Sequence, residues 1–281
     1  MPAPHENYTL RASERQGLTR YVKVKSKTQG SMARAMKTRM ARRGASPRGK
    51  SARVNSSNPA WVVRGAGSLQ IVESRALGKL DWLVHGFSTR PGDESAGKGK
   101  RALNLGFTEW DERARVIKNR AAFAAALQAR EMPLLTLRQF HSDVIHVALA
   151  KSSPGKGPAD ESPRADAVVT HSPQMLLGVQ TADCVPILLA DTRRRAVAAI
   201  HAGWRGTLGR IAVKTLGRMQ MEFGTRPRDV VAALGPAIGR CCYEVGPEVA
   251  QAFATQFHAA AAWFDGPFEQ LSHGEEPLWL P

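Results

Sequence analysis

The feature that most constrains this chain is an apolar strand–turn–strand unit in its second half. Two short aliphatic runs, 185–190 and 196–200, flank a polar turn at 191–195, and this pattern predicts a β-hairpin. A hairpin folds its two outer ends back beside each other. We therefore expect Cys184 and His201, which stand at those ends, to lie close together in space.

A second imidazole, His141, ends another apolar run, so it too is expected at a strand end. Two nitrogens and one sulfur form a three-ligand set for zinc, and the fourth position stays free for water or substrate. That open position is typical of a catalytic zinc site rather than a structural one. By chemistry alone, His146 is an equal candidate for the third ligand.

The net charge of +16 belongs mostly to one end of the chain. Residues 1–66 contain 15 of the 40 Lys and Arg residues but only two of the 24 Asp and Glu residues. Residues 1–58 lack apolar periodicity and are rich in Ser, Gly, Arg and Lys, a composition that predicts a disordered basic extension. Such an extension could bind nucleic acid through phosphate contacts, or it could be a solvated tail or a transit peptide.

Three cysteines, two of them adjacent, do not form a disulfide framework, which favours a reducing compartment and a metal or catalytic role for Cys184. The chain has no secretory signal pattern and no run long enough to cross a membrane. We therefore expect a cytoplasmic protein.

Residues 61–281 are expected to form a single domain of the α/β (α+β) class. Strands occur in groups separated by helices, and they lack polar alternation, so mixed sheets covered on both faces are predicted. Thr108 is predicted to open one helix, with Ala114, Ile117 and Ala124 on its apolar face, and Thr207 is predicted to cap another.

Several segments resemble the laccase-domain family. They are HGFSTR, LNLGF, QFHSD, ADAVVT, the TADCVPILLAD…HAGWRGT block and LGPAIGRCCYEVG, which together run from about His85 to Glu248. Members of this family were first labelled multicopper polyphenol oxidases and are now understood as purine nucleoside phosphorylases of a distinct type. The family's domains continue past the point that corresponds to Pro281, so the resemblance implies a C-terminally truncated domain.

The resemblance implies a four-layer α/β/β/α sandwich and a zinc site held by His141, Cys184 and His201, which selects His141 over His146. It also implies phosphorolysis of adenosine, inosine, guanosine and methylthioadenosine, together with deamination of adenosine. Purine nucleosides and phosphate are the expected small-molecule partners, and the oligomeric state is left open.

Four further residues are candidates for this chemistry. Arg205, beside the expected start of the Thr207 helix, is predicted to hold phosphate, with Arg90 as a second candidate. Asp183 is predicted to orient a ligand or to act as a base, and Glu244 is a candidate for purine contact. For each of the four, a salt bridge or a cap is an equally good interpretation.

Three other functions remain open at this point. Cys184 and His201 could form the nucleophile and base of a metal-independent cysteine hydrolase. A copper-dependent polyphenol oxidase is less favoured, because blue-copper sites often add an axial Met and only Met175 stands near the motif segments. A non-enzymatic protein that binds nucleic acid would act through residues 1–58.

Overall fold

The computed structural model describes residues 60–66, 69–89, 103–109, 111–149, 162–239, 242–258, 260–263 and 278–279. The predicted basic extension, residues 1–58, lies outside the described residues, and so does Arg90. Within the described part of the chain, no helix is long and apolar enough to cross a membrane.

The described residues alternate between strands and helices, as the sequence predicted. In chain order the elements are β1 (Trp61–Ala66), β2 (Leu69–Ser74), β3 (Phe87–Ser88), α1 (Arg113–Ala126), β4 (Leu134–Thr136), β5 (Ile145–Val147), β6 (Ala167–Thr170), β7 (Leu176–Gly178), β8 (Val185–Asp191), β9 (Val197–Ala202), α2 (Trp204–Leu208), α3 (Ile211–Phe223), β10 (Val230–Leu234), β11 (Glu244–Val245), α4 (Pro247–Gln256) and β12 (Leu278–Trp279).

A five-stranded mixed sheet in the order β10-β8-β9-β6-β5 forms the centre of the fold. Only the β5–β6 pair within this sheet is parallel. The predicted hairpin is confirmed as β8 and β9, which pair antiparallel with Val185 opposite Ala202 and Pro186 opposite His201. This register places Cys184, one residue before β8, next to the end of β9.

One face of the central sheet is covered by helix α3. Ile211 and Met219, which are fully buried on the helix, share a hydrophobic cluster with Val169 and Ile200 of the sheet. The helix ends at Gly224, whose left-handed φ of 68° terminates helical hydrogen bonding without steric strain.

The other face of the central sheet packs against two smaller sheets. Val168 and Ala199 meet Leu135 of the β4–β7 sheet, while Ala190 meets Val72 of the β1–β2–β3 sheet. The C-terminal part of α1 then packs on the outside of these sheets, where Phe123 and Ala126 contact the cluster around Ile71. The layers therefore follow the order α/β/β/α, and the predicted fold class is confirmed.

Two predicted helix starts are wrong. The helix expected at Thr108 begins at Arg113 after Glu112, and the one expected at Thr207 begins at Trp204 after Gly203. Neither of these caps makes a side-chain hydrogen bond, so the preferred capping residue types misled the prediction. A left-handed residue, Arg210 with φ 60°, separates α2 from α3.

The predicted apolar face of α1 is confirmed at Ala124, which is buried, and wrong at Ala114 and Ile117, which are exposed. Ile117 is 51% exposed, and the neighbouring Val116 is fully buried. Alanine-rich helices offer several faces of similar apolarity, so spacing alone does not select the one that packs.

Candidate metal centre

Three predicted ligands lie together at the open end of the β8–β9 hairpin. Cys184 precedes β8, His201 lies within β9, and His141 lies in the loop between β4 and β5. One potential donor atom from each residue falls within 4.8 Å of the other two. The imidazoles of His141 and His201 meet edge to face, with ring centroids 4.9 Å apart.

Gly203 lies where two of these ligands meet. A Cβ at this position would be 3.0 Å from the Cys184 Sγ and 3.1 Å from the His141 Cδ2. Both contacts are tighter than most contacts of a Cβ atom, so a larger residue would displace the thiol and the imidazole by a few tenths of an ångström. The absence of a side chain at Gly203 therefore favours the close approach of these two groups.

Asp166 is the principal residue that sequence reasoning missed. Its carboxylate is fully buried, and its Oδ1 accepts a hydrogen bond from the His201 Nδ1 at 2.8 Å. It also accepts backbone N–H bonds from Phe140, His141 and Ser142 at 3.2, 3.0 and 2.7 Å. An acid within the apolar ADAVVT segment was the available signal, because a buried carboxylate needs such partners.

The His141 backbone has a left-handed conformation, with φ 62°. Non-glycine residues adopt this conformation rarely and at an energetic cost. The three successive N–H groups at 140–142 converge on the Asp166 carboxylate, and these bonds hold the loop in place.

Two glutamines align the segments that carry His141 and Cys184. The Gln139 amide nitrogen donates to the Gln180 carbonyl oxygen, and the Gln180 N–H donates to the Gln139 Oε1, both at 2.8 Å. This reciprocal pair fixes the HSD loop beside the TADC segment, although 41 positions separate the two glutamines.

Burial and nearby charges change the proton affinity of two ligands in opposite directions. Burial lowers the pKa of His141, and the neighbouring His201 and Arg205 add to this effect. Burial raises the pKa of the Cys184 thiol, and the carboxylates of Asp183 and Asp166 raise it further. In the absence of a cation, the site therefore contains a neutral imidazole and a protonated thiol at neutral pH.

Asp183 lies directly beside the thiol. Burial raises the pKa of its carboxyl, and its Oδ1 is buried without a hydrogen-bond partner among the described residues. A buried carboxylate oxygen without a partner is costly, so this atom is available to a ligand, an ion or a water molecule.

Arg205 is exposed on α2, and its guanidinium lies 4.2 Å from the ring centroid of Trp204. It lies close enough to His141 to help lower the pKa of that ring, and close enough to Tyr243 to oppose part of the rise in the pKa of that hydroxyl. The correction to the helix start changes its setting, because Thr207 lies inside α2 and does not cap it.

Tyr243 is a second residue that the sequence did not single out. Burial raises the pKa of its hydroxyl, and Cys184 and Asp183 raise it further, so the tyrosine borders the site. Its neighbour Glu244, the predicted purine contact, is exposed at the start of β11.

The donor set fits a single zinc ion. In a tetrahedral site, zinc bonds of about 2.0–2.3 Å place the donor atoms roughly 3.3–3.8 Å apart. The three donor atoms lie within 4.8 Å of one another, so small side-chain movements would bring them to this spacing. Two imidazoles and one thiolate leave one of the four tetrahedral positions for a ligand from solution.

A cavity of about 1310 Å³ lies between the sheets, and its lining residues include His85, Arg120 and Gln180. The described residues that line it do not include His141, Cys184 or His201. Volume alone does not identify a reactive site, and the convergence of donor atoms is the stronger indication of chemistry.

A model of the family described as multi-copper polyphenol oxidoreductase laccase matches residues 84–275. The chain belongs to this family. The matched region contains His141, Asp166, Cys184 and His201.

Two relatives carry enzyme names. A purine nucleoside phosphorylase of Deinococcus radiodurans is 42% identical over 177 residues, which cover 63% of each chain. The adenosine deaminase RL5 of an unknown prokaryotic organism is 38% identical over 186 residues, which cover 63% of this chain and 70% of that protein. The chain thus spans less than two thirds of the length of the Deinococcus protein.

A solved structure supports the fold independently. The crystal structure of the hypothetical protein YfiH of Bacillus licheniformis matches with a TM-score of 0.64 at 29% identity, and the match covers 78% of each chain.

Proposed function

We propose that this protein is a zinc-dependent purine nucleoside phosphorylase that also deaminates adenosine. The observation that carries the proposal is the convergence of His141, Cys184 and His201. The names of the Deinococcus and RL5 relatives supply the two reaction classes. The proposed substrates are adenosine, inosine, guanosine and methylthioadenosine, with phosphate as the second substrate for phosphorolysis.

Zinc is the metal that best matches this donor set. A His₂Cys set with an open position is a common arrangement for catalytic zinc, whereas blue-copper sites often add a weak axial methionine. Met175, the candidate for that role, packs in the hydrophobic cluster with Leu135 and Leu137. When bound, zinc supplies Lewis-acid polarisation at the open fourth position.

In phosphorolysis, a phosphate oxygen forms a bond to the C1′ of the ribose while the glycosidic C–N bond breaks. The electron pair of that bond leaves with the purine, which takes up a proton. We assign the phosphate to Arg205, because its exposed guanidinium lies beside His141 and Tyr243 and can form a charge-assisted pair with an anion.

In deamination, water adds to the purine C6 and ammonia leaves, so a proton must move from the attacking water to the leaving nitrogen. We assign this transfer to Asp183, whose buried Oδ1 has no partner among the described side chains and lies next to the Cys184 position. This reaction needs no phosphate site.

The second candidate is a metal-independent cysteine hydrolase. The contact between His201 and Asp166 favours it, because a carboxylate that orients an imidazole beside a thiol is also the arrangement of a Cys–His–Asp triad. Two observations oppose it. The raised pKa of Cys184 disfavours a free thiolate, and the triad gives no role to His141.

Metal analysis of the purified protein, combined with a chromatographic screen of nucleosides with and without phosphate, tests the proposal. We expect about one zinc per chain, release of free base only when phosphate is present, and conversion of adenosine to inosine without phosphate. Activity that survives complete chelation and is abolished by alkylation of Cys184 would favour the hydrolase instead.

A further inference from the structure

We propose that Asp166 is a positioning residue that presents both histidines to the metal, through hydrogen bonds to the His201 ring and to the His141 loop. The part of this inference that concerns zinc affinity rests on the proposed function. The part that concerns the imidazole tautomer does not, because it can be measured without metal.

The Asp166 carboxylate has its hydrogen-bonding capacity filled by donors from two separate parts of the chain. Its Oδ1 accepts from the His201 Nδ1 and from the His141 N–H, while its Oδ2 accepts from Phe140 and from both the backbone N–H and the hydroxyl of Ser142. Five donors surround two oxygens, and every one of them requires an acceptor. A carboxylate satisfies this arrangement, because it accepts at both oxygens and donates at neither.

The bond to His201 determines where the imidazole proton lies. Because the His201 Nδ1 faces a carboxylate oxygen at 2.8 Å, the proton is held on Nδ1, and the lone pair is left on Nε2. The main chain reinforces this placement, since the His201 N–H donates to the Asp166 carbonyl oxygen at 2.7 Å. Both the ring and the backbone of His201 are thus tied to Asp166.

The bonds to the 140–142 loop determine where the second imidazole lies. His141 adopts φ 62°, and its N–H shares the Asp166 Oδ1 with the His201 ring. One oxygen atom therefore fixes the spacing between the backbone of one histidine and the side chain of the other. Residues that hydrogen-bond to metal ligands typically contribute about ten- to a hundredfold to the affinity of the site for the metal.

Asp191 offers a matched control in the same sheet. It is also fully buried, and its Oδ1 accepts two backbone N–H bonds, from Arg193 and Arg194, at 2.8 and 3.0 Å. Both donors belong to the turn that begins at Asp191 itself. A substitution to Asn at either position removes a buried carboxylate that holds a loop, but only the one at Asp166 should change the site.

The test compares Asp166→Asn with Asp191→Asn in the full-length chain. An Asn side chain has one acceptor oxygen, so its NH₂ group must face either the His201 ring or the N–H groups of Phe140 and Ser142. We expect zinc affinity, measured by competition with a chromophoric chelator, to fall about ten- to a hundredfold for Asp166→Asn and to stay at the wild-type value for Asp191→Asn. Wild-type affinity in Asp166→Asn would overturn the proposal.

Nitrogen-15 NMR of histidine-labelled, metal-free protein gives the second measurement. In the wild type, we expect the His201 proton on Nδ1. A wild-type protein with that proton on Nε2 would overturn the positioning role, whatever the metal does. A wild-type protein with the Nδ1 proton but no zinc binding would support the positioning role and contradict the proposed function, so the two failures are distinguishable.

Ser142→Ala provides a milder variant for the case in which Asp166→Asn does not fold. It removes the hydroxyl that donates to the Asp166 Oδ2 at 2.6 Å and accepts the Val144 N–H at 3.2 Å. We expect a smaller loss of zinc affinity, about two- to tenfold, the usual effect of one hydrogen bond. An unchanged affinity in this variant would contradict the coupling between the carboxylate and the ligands.

Discussion

A buried aspartate lies near each end of the β8–β9 hairpin, and each carboxylate needs hydrogen-bond donors. The two aspartates find these donors in different parts of the chain. At the turn end, the buried Asp191 binds the N–H groups of its own turn. At the open end, the buried Asp166 binds the N–H groups of a distant loop and also the ring of His201. The backbone hydrogen bonds to Asp191 are therefore local, whereas those to Asp166 come from a distant loop and are joined by a bond from the ring of a proposed metal ligand.

The electrostatics of the two carboxyls agree with this comparison. Burial acts to raise the pKa of both, but hydrogen bonds outweigh it and hold each pKa below its ordinary value. Both aspartates are therefore ionised at neutral pH. The two carboxylates differ in the groups that their charge holds in place. Substitutions at the two ends can therefore separate a loss of folding from a loss of function.

The largest expected effect comes from Cys184→Ala at the open end. Removing the only sulfur of the trio should strip the metal and abolish both activities, while the thermal unfolding of the metal-free protein should change little, because the thiol is only half-buried. Metal analysis and unfolding curves measure the two effects.

Cys242→Ala is the matched control for this substitution, and it should retain the metal. Equal metal content in the two cysteine variants would contradict the ligand assignment.

The next effect concerns Arg205→Ala, which separates the two reactions. Loss of one charge-assisted pair costs about 1.5–3 kcal/mol, so phosphorolysis should fall roughly ten- to a hundredfold. Deamination should fall much less, because it uses water. The measurement compares the rate with inosine plus phosphate and the rate with adenosine alone. An equal loss of both rates would mean that Arg205 supports the metal site or the fold instead of binding phosphate.

A pH dependence of about tenfold per pH unit is expected for zinc affinity near neutrality. Burial, Asp183 and Asp166 raise the pKa of Cys184, so zinc must displace a thiol proton, and affinity increases as pH rises toward that pKa. His141 contributes no second proton there, because burial and His201 lower its pKa from 6.5. Competition titrations between about pH 7 and 8 measure the slope. A flat profile would mean that the thiolate is already present without metal.

The smallest effect on the free energy of unfolding is expected at two left-handed residues, one at each end. Arg195 in the turn has φ 55°, and His141 has φ 62°. Glycine adopts this conformation freely, so Arg195→Gly should change the free energy of unfolding by no more than about 1 kcal/mol and leave metal binding intact. His141→Gly should be similarly mild in unfolding but should lose the metal. A large destabilisation by His141→Gly would show that the ring, rather than the backbone, supports the loop.

The sequence predicted the hairpin and the closeness of Cys184 to His201 because both depend on short-range pattern. Aliphatic runs around a polar turn define β8 and β9, and strand pairing then places Cys184 beside His201. The helix starts at Glu112 and Gly203 were missed because no side chain caps either one. In α2, Trp204 follows Gly203 directly and packs against the hydrophobic cluster of α4. The residues of that cluster are far from Trp204 in the sequence.

Asp166 could not be assigned from the sequence for a related reason. Most of its partners are backbone N–H groups, which carry no residue identity, and they belong to a loop about 25 positions away. The family resemblance included its ADAVVT segment without indicating which atom mattered. Tyr243 was missed similarly, because its closeness to Cys184 arises only from tertiary packing.

The position of two ligands on one hairpin also has a consequence for how the protein folds. Closing a short connection costs little chain entropy, so the pairing of β8 with β9 brings Cys184 and His201 together through a local contact. His141 lies on a loop that is bonded to Asp166, which directly precedes β6, so we expect it to join them after β6 has paired with β9. If the protein binds zinc as proposed, we expect the folding chain to offer Cys184 and His201 first and His141 only when the tertiary structure is complete.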